Sequence, residues 1–207
     1  FRGMLYERFG QAVLDGMAFI RIDTDSASKG QAAEGGLKAG PADKYVDFQE
    51  EESIDANKIN FGQYLGDALE QNLHIAEWWD SGIPQLQQFN TSEGAGQMRP
   101  LSRLVAFHYH NTITRAISNA VREVKKIGNS NPRVLTGEKI NVYVVAGLAG
   151  GTGSGMFLDV TAMVRNIINE CQVIGYFALP SVYKNVEGKY EKIAANGAAA
   201  LRELNHF

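Results

Sequence analysis

The chain has 207 residues, a formal net charge of −3, 44% hydrophobic and 21% charged residues, and one cysteine. These values belong to a folded globular chain and exclude a disordered tail, a collagenous repeat and a disulfide-stapled miniprotein. No basic excess marks a dedicated nucleic-acid binder, and no run of about 18 apolar residues offers a membrane helix.

Cys171 has no second cysteine to pair with, which favours a reducing compartment and predicts a cytoplasmic protein. The sequence starts at Phe1 without Met or a signal-peptide pattern, and FRGMLYERFG is amphipathic with no capping residue ahead of it. That start predicts a piece of a longer chain. Residues 1–10 read as the end of a helix closed by Gly10. MAFIRID at 17–23 reads as a short strand ending in Asp23-Thr24-Asp25. Residues 26–44, rich in Ser, Ala, Gly and Lys, predict a long loop, with a second short strand at Tyr45–Phe48.

From Asn60 the spacing turns helical, with Phe61, Tyr64, Leu65, Ala68, Leu69 and Ala76 on one face, until Asp80-Ser81-Gly82 and Pro84 break it. EGAGQMR at 93–99 is a glycine turn opening the clearest helix, with Pro100 as its first residue. The apolar stripe of that helix runs unbroken from Leu101 to Val124, and Gly128 ends it. KINVYVVA at 139–146 is an apolar, β-branched run suited to a strand covered on both faces. GLAGGTGSG follows, then a helix from Met156 to about residue 168. Next come a strand at 171–179 stopped by Pro180, and a last helix from about Tyr190 to Leu204. Strand, helix, strand, helix in this order predicts a βαβ architecture.

The chemistry lies between Gly147 and Gly155, where five glycines fall in nine residues with Thr152 and Ser154 interleaved. Glycines let a ligand approach the main chain, successive N–H groups converge on an anion, and the following helix adds its positive dipole end. The two hydroxyls offer further donors. A Walker loop needs Lys after its last glycine, and Met156 stands there. A dinucleotide fingerprint needs a small sixth residue, and either start places Met156 or Leu158 there. Gly-Thr-Gly-Ser-Gly meets the nucleophile-elbow pattern around Ser154 only superficially, with Glu187 and His206 as the later acid and base.

AGGTGSG at 149–155 fits the seven-residue phosphate-loop signature of the tubulin/FtsZ family at every position. Other segments fall in that family's order. MAFIRIDTD at 17–25 resembles the second strand of FtsZ, with Asp25 on its second acid. EGAGQMR at 93–99 resembles the third nucleotide loop. YFALPSVYKNVEGKYEK at 176–192 resembles the strand and loop that reach the ribose, with Glu187 as the contacting acid. The family's next basic residue falls near Glu191, a departure from the pattern. GAGQMRPLSR is most similar to the divergent bacterial tubulin-like proteins. Residues 26–92 match weakly.

The resemblance implies an α/β, Rossmann-like fold, a mostly parallel sheet with helices on both faces. Residues 1–207 would form part of a GTP-binding domain whose first strand precedes Phe1. Its guanine-reading Asn would follow Phe207, Asn196 lying one helix too early. Gly150, Gly151, Thr152, Gly153, Ser154 and Gly155 would hold the α- and β-phosphates of GTP or GDP. Gly94, Ala95 and Gly96 would face the terminal phosphate, and Asp25 would act near the phosphates or Mg2+. Nucleotide state would control self-association into filaments or assembly with other subunits, and GTP hydrolysis would be completed by a neighbouring subunit. Two alternatives stand beside this: a non-polymerising tubulin-like scaffold or switch, and another nucleotide or nucleotide-sugar enzyme on a similar fold.

The remaining constellations have plainer readings. Asp23-x-Asp25 is either a divalent-metal pair or a strand-ending turn. His108 and His110 point apart on a helix and suit no shared metal, Cys171 packs at the start of a strand, Glu50–Glu52 is a solvated run, and Trp78-Trp79 covers apolar surface.

Overall fold

The computed structural model describes residues 2–11, 14–24, 53–55, 73–79, 95–130, 139–184 and 190–206. Its elements are α1 (Arg2–Phe9), β1 (Arg21–Asp23), β2 (Ser53–Asp55), α2 (Leu73–Ala76), α3 (Arg99–His108), α4 (His110–Ser130), β3 (Ile140–Gly147), α5 (Gly151–Ile167), β4 (Cys171–Ala178) and α6 (Tyr190–His206). A 3-10 turn, Pro180–Tyr183, precedes α6. The class is α/β. The loop expected over 26–44, the strand at 45–48 and most of the helix from Asn60 lie outside the described residues.

Both strand pairs are parallel. β1 runs beside β2 in the register Arg21↔Ser53 to Asp23↔Asp55, and β3 beside β4 from Ile140↔Cys171 to Gly147↔Ala178. Parallel neighbours need a crossover, and α5 supplies it between β3 and β4. This is the βαβ unit expected from the order of the elements.

Sequence period explains which faces are buried. On β3, residues 140, 142, 144 and 146 point to the helices, where Ile140 and Val142 join Ile113, Ile117, Met163, Val164 and Ile168. Val144 and Ala146 join Leu148, Phe157 and Ala200. Burying each large aliphatic side chain stabilises by about 1.5–3 kcal/mol relative to leaving it in water. The alternate residues behave otherwise: Tyr143 and Tyr176 stack on one another on the outer face, and Val145 beside them is 75% exposed. Among the described residues, the cover over the run at 139–146 comes from one face. Helices α4, α5 and α6 all pack on one face, and strand composition alone does not report which face finds a partner.

A third cluster sets α3 against α5. Leu101, Leu104, Val105 and Ala106 pack with Met156, and Ile75, Trp79 and Ala95 close the side. The long helix expected from Pro100 onward is interrupted at Tyr109, whose ψ of 13° leaves the helical region. The hydrogen bonds nevertheless run through, Tyr109 N–H to the Val105 carbonyl and Ile113 N–H to the Tyr109 carbonyl, both at 2.9 Å. The stripe stays in phase, so α3 and α4 bury one continuous face. α4 extends to Ser130, past Gly128. β1 is shorter than the apolar run that announces it, and β2 is a strand that the sequence reading did not mark.

Candidate phosphate site at the end of strand β3

The largest departure from the sequence reading carries the chemistry. The helix after the glycine run was expected at Met156, but α5 begins at Gly151. Gly151, Thr152, Gly153, Ser154 and Gly155 are its first residues rather than a loop. Gly150, at φ −82° and ψ 177°, is its cap, and no side chain caps the helix. The first N–H groups of a helix have no partner within it. Here they stand at the positive end of a 17-residue dipole. This is where an anion binds a helix.

The glycines divide into two kinds. A β-carbon on Gly150 would meet nothing within 4 Å, and the residue is exposed. Its missing side chain leaves space in front of the helix end. The next glycines are filled from behind. A β-carbon on Gly151 would lie 2.9 Å from Met98 N, one on Gly153 would lie 2.6 Å from the Gly147 carbonyl oxygen, and one on Gly155 would lie 2.8 Å from Ser102 Cβ. These three let the first turn of α5 press against β3 and α3.

The second glycine segment meets the first. Ala95-Gly96-Gln97-Met98 forms a tight turn, Met98 N–H donating to the Ala95 carbonyl at 2.8 Å. Gly96 at φ 53° and Gln97 at φ 61° are both left-handed, as the two central residues of a type I′ turn must be. Gln97 is the one non-glycine residue among those described with positive φ. The Ala95 N–H donates to Thr24 Oγ1 at 3.2 Å, so this amide of the turn is already engaged. Gly96 is exposed.

Three side chains lock the segments. Thr24, fully buried at the end of β1, reaches Thr152 Oγ1 at 2.5 Å as well as Ala95. Asn196 on α6 donates through Nδ2 to the Gln97 carbonyl at 2.9 Å and the Ala149 carbonyl at 3.2 Å. Gly197 beside it permits this depth, since a β-carbon there would lie 2.7 Å from Pro180 Cδ. Arg99 donates through Nε (3.1 Å) and Nη2 (3.0 Å) to the Ser154 carbonyl and forms a two-pronged pair with Glu203 of α6, Nη1 to Oε1 at 3.0 Å and Nη2 to Oε2. Lys192 Nζ donates to the Gly96 carbonyl at 3.2 Å and adds positive charge at the rim.

Of the residues singled out from sequence, Gly150 to Gly155, Ala95 and Gly96 converge. Gly94, Asp25 and Glu187 lie outside the described residues. Ser154 differs from its expected part as a hydroxyl donor to phosphate. It is buried, and its Oγ donates to the Gly150 carbonyl. The same bond removes it as a raised nucleophile. Sequence reading missed Thr24, Arg99 and the seam role of Asn196. A weak signal existed for Asn196, a poor helix former set within the alanine-rich run IAANGAAA.

Asp23 is paired with Arg21 at 2.7 Å, and among the described residues no group of His, Cys, Asp and Glu is arranged to hold a metal ion. No described helix is long and apolar enough to cross a membrane. A cleft of about 280 Å³ lined by Val121, Lys125, Ile140, Ile168 and Glu170 lies at the opposite ends of the strands, away from these groups.

Comparison with protein families gives a match to a family described as tubulin like, over residues 1–207. Comparison with curated proteins and with solved structures gives no match.

Proposed function

We propose, since this chain belongs to the tubulin-like family, that it binds GTP or GDP at the end of β3 and that nucleotide state governs its assembly. The carrying observation is the uncapped start of α5, with open space before Gly150 and the 95–98 turn beside it. In this reading the N–H groups of Gly151, Thr152 and Gly153 and the Thr152 hydroxyl hold the α- and β-phosphates. Ser154 and Gly155 shape the turn from behind. Gly96, with Gly94, faces the terminal phosphate, and Ala95 anchors that turn through its engaged amide. Asp25 and Glu187 take their sequence-derived roles near the phosphates and the ribose.

Mg2+ enters as the ion that accompanies nucleotide phosphates, which supply most of its shell. The described residues build no site for it alone. The wider architecture in this proposal is a Rossmann-like, mostly parallel sheet with helices on both faces, in a cytoplasmic protein that self-associates into filaments or joins other subunits. Hydrolysis, where it occurs, is completed by the neighbouring subunit.

The test is to purify the protein, denature it and identify the released nucleotide by chromatography. GTP or GDP near one per chain supports the reading. An adenine nucleotide or a nucleotide sugar overturns the guanine assignment and favours an enzyme on a similar fold. Empty protein that also fails to bind added GTP overturns the nucleotide reading. Sedimentation with and without GTP then separates an assembling protein from a scaffold.

A further inference from the structure

Thr24 cannot touch a ligand, because it is 0% exposed. Its hydroxyl nevertheless joins both phosphate segments. The Ala95 N–H donates to Oγ1 at 3.2 Å, and Thr152 Oγ1 lies 2.5 Å away. A threonine hydroxyl has one proton and two lone pairs. The Ala95 amide occupies one lone pair. Were Thr152 to donate into the other, the Thr24 proton would be buried with no acceptor among the described residues, an arrangement folded proteins avoid. Among the described residues, the pairing that satisfies every group has Thr24 donating to Thr152. Thr152 then accepts, and its own proton is left to donate elsewhere. Its side chain is half-buried at the second residue of α5, beside the uncapped N–H groups.

We propose that Thr24 is a positioning residue for phosphate recognition. It makes Thr152 a hydrogen-bond donor toward the bound nucleotide and ties the 95–98 turn to the same phosphates. The chain of donors runs from the Ala95 amide through Thr24 to Thr152 and ends on the anion. Each link polarises the next, so the terminal hydroxyl is a stronger donor than an isolated one. The proposal rests on the nucleotide reading above, and it adds a residue with no ligand contact whose loss is felt at the phosphates.

The test uses the full chain with GTP and GDP as probes, and compares Thr24→Val, which keeps the shape and removes the hydroxyl, with Thr24→Ser, which keeps the hydroxyl. Thr24→Val is expected to weaken GTP binding by about tenfold, corresponding to about 1.4 kcal/mol. GDP should lose less, because the 95–98 turn serves the terminal phosphate, so the preference for GTP falls. Thr24→Ser should bind within about threefold of wild type. Thr152→Val should cost a similar factor, and the double variant should lose no more than the larger single loss, since both break one chain. A merely structural role would lower the melting temperature and leave the GTP-to-GDP ratio and the coupling unchanged.

Wild-type binding with unchanged affinity in Thr24→Val, or fully additive losses, overturns this inference alone. Wild type that binds neither GTP nor GDP overturns the nucleotide reading and this inference with it. If Thr24→Val does not fold, Thr152→Val against Thr152→Ser carries the test, and equal binding by those two overturns the donor role.

Discussion

Gly155 lies so close to Arg99 that a β-carbon built on the glycine would overlap the Arg99 carbonyl oxygen and stand 2.8 Å from Ser102 Cβ. Two helix starts, those of α3 and α5, are thereby pressed together by backbone. Neither neighbour is the far end of a flexible chain that could swing away. Gly155→Ala is therefore expected to destabilise the fold by about 1–3 kcal/mol, the usual cost of overpacking. Gly150→Ala is the opposite case, with open space and an ordinary φ of −82°. Its unfolding free energy should stay within about 0.5 kcal/mol of wild type while, if the nucleotide proposal holds, GTP binding weakens because a methyl group stands where the phosphates would approach. Urea titrations and GTP binding on both variants check this. A stable Gly155→Ala, or a Gly150→Ala that binds normally, contradicts the division of the glycines.

Asn196 fastens both glycine segments to α6 with one amide group. Asn196→Ala removes two hydrogen bonds but replaces Asn with the best helix former, so the expected net loss is about 0.5–2 kcal/mol. Asn196→Asp should lose more at neutral pH. A carboxylate would face the carbonyls of Ala149 and Gln97 and repel both. The order wild type, Asn196→Ala, Asn196→Asp in thermal stability is the measurement, and Asp equal to Asn would show that the seam is not built on donation.

Much of the frame was legible in the sequence, and the reasons differ by element. β3 and β4 announce themselves because their apolar runs are long, and α4 because its stripe keeps phase for several turns. The start of α5 was not legible. Gly151, Gly153 and Gly155 disfavour a helix locally, yet the turn forms because only glycine fits against Gly147, Arg99 and Ala95. The signature at 149–155 marked the candidate site, but it could not show that Ser154 turns inward or that Ala95 spends its amide on Thr24. The first depends on the helix starting at Gly151, so that Ser154 reaches the Gly150 carbonyl four residues back, and the second on a contact between residues 71 apart in the chain. Strand composition likewise records the apolar character of β3 and does not record what covers each of its faces.

Arg99 serves two masters, the Ser154 carbonyl and the Glu203 carboxylate, with its own side chain 14% exposed and that of Glu203 49% exposed. Half-exposed ion pairs contribute little, so Glu203→Gln is expected to cost no more than about 1 kcal/mol, with the difference shrinking in high salt. Arg99→Ala should cost more, about 1.5–3 kcal/mol, because it also removes charged hydrogen bonds to the carbonyl of a buried turn. Arg99→Lys should rescue only part of it, since an ammonium lacks the fork that meets both acceptors. Equal losses for Arg99→Ala and Glu203→Gln would place all the energy in the ion pair.

Burial pushes the Asp159 carboxyl above its ordinary value, the Arg103 guanidinium opposes that rise from 3.5 Å, and the Glu203 carboxylate adds to it. The net direction is upward, so the fold binds the Asp159 proton more tightly than the unfolded chain does. The stabilising contribution of that proton is full below the ordinary carboxylate range. It is lost as pH rises through the folded value, leaving an ionised group that the fold disfavours at neutral pH. Asp159→Asn removes the titration. Its stability relative to wild type should therefore be more favourable at pH 7 than at about pH 3, whatever the absolute offset from losing the Arg103 pair. In a Glu203→Gln background the same difference should shrink, because one source of the upward push is gone. Denaturant unfolding of the four chains at both pH values measures it. A relative stability of Asp159→Asn that stays flat or falls between pH 3 and pH 7 would mean that Arg103, not burial, sets the ionisation of Asp159.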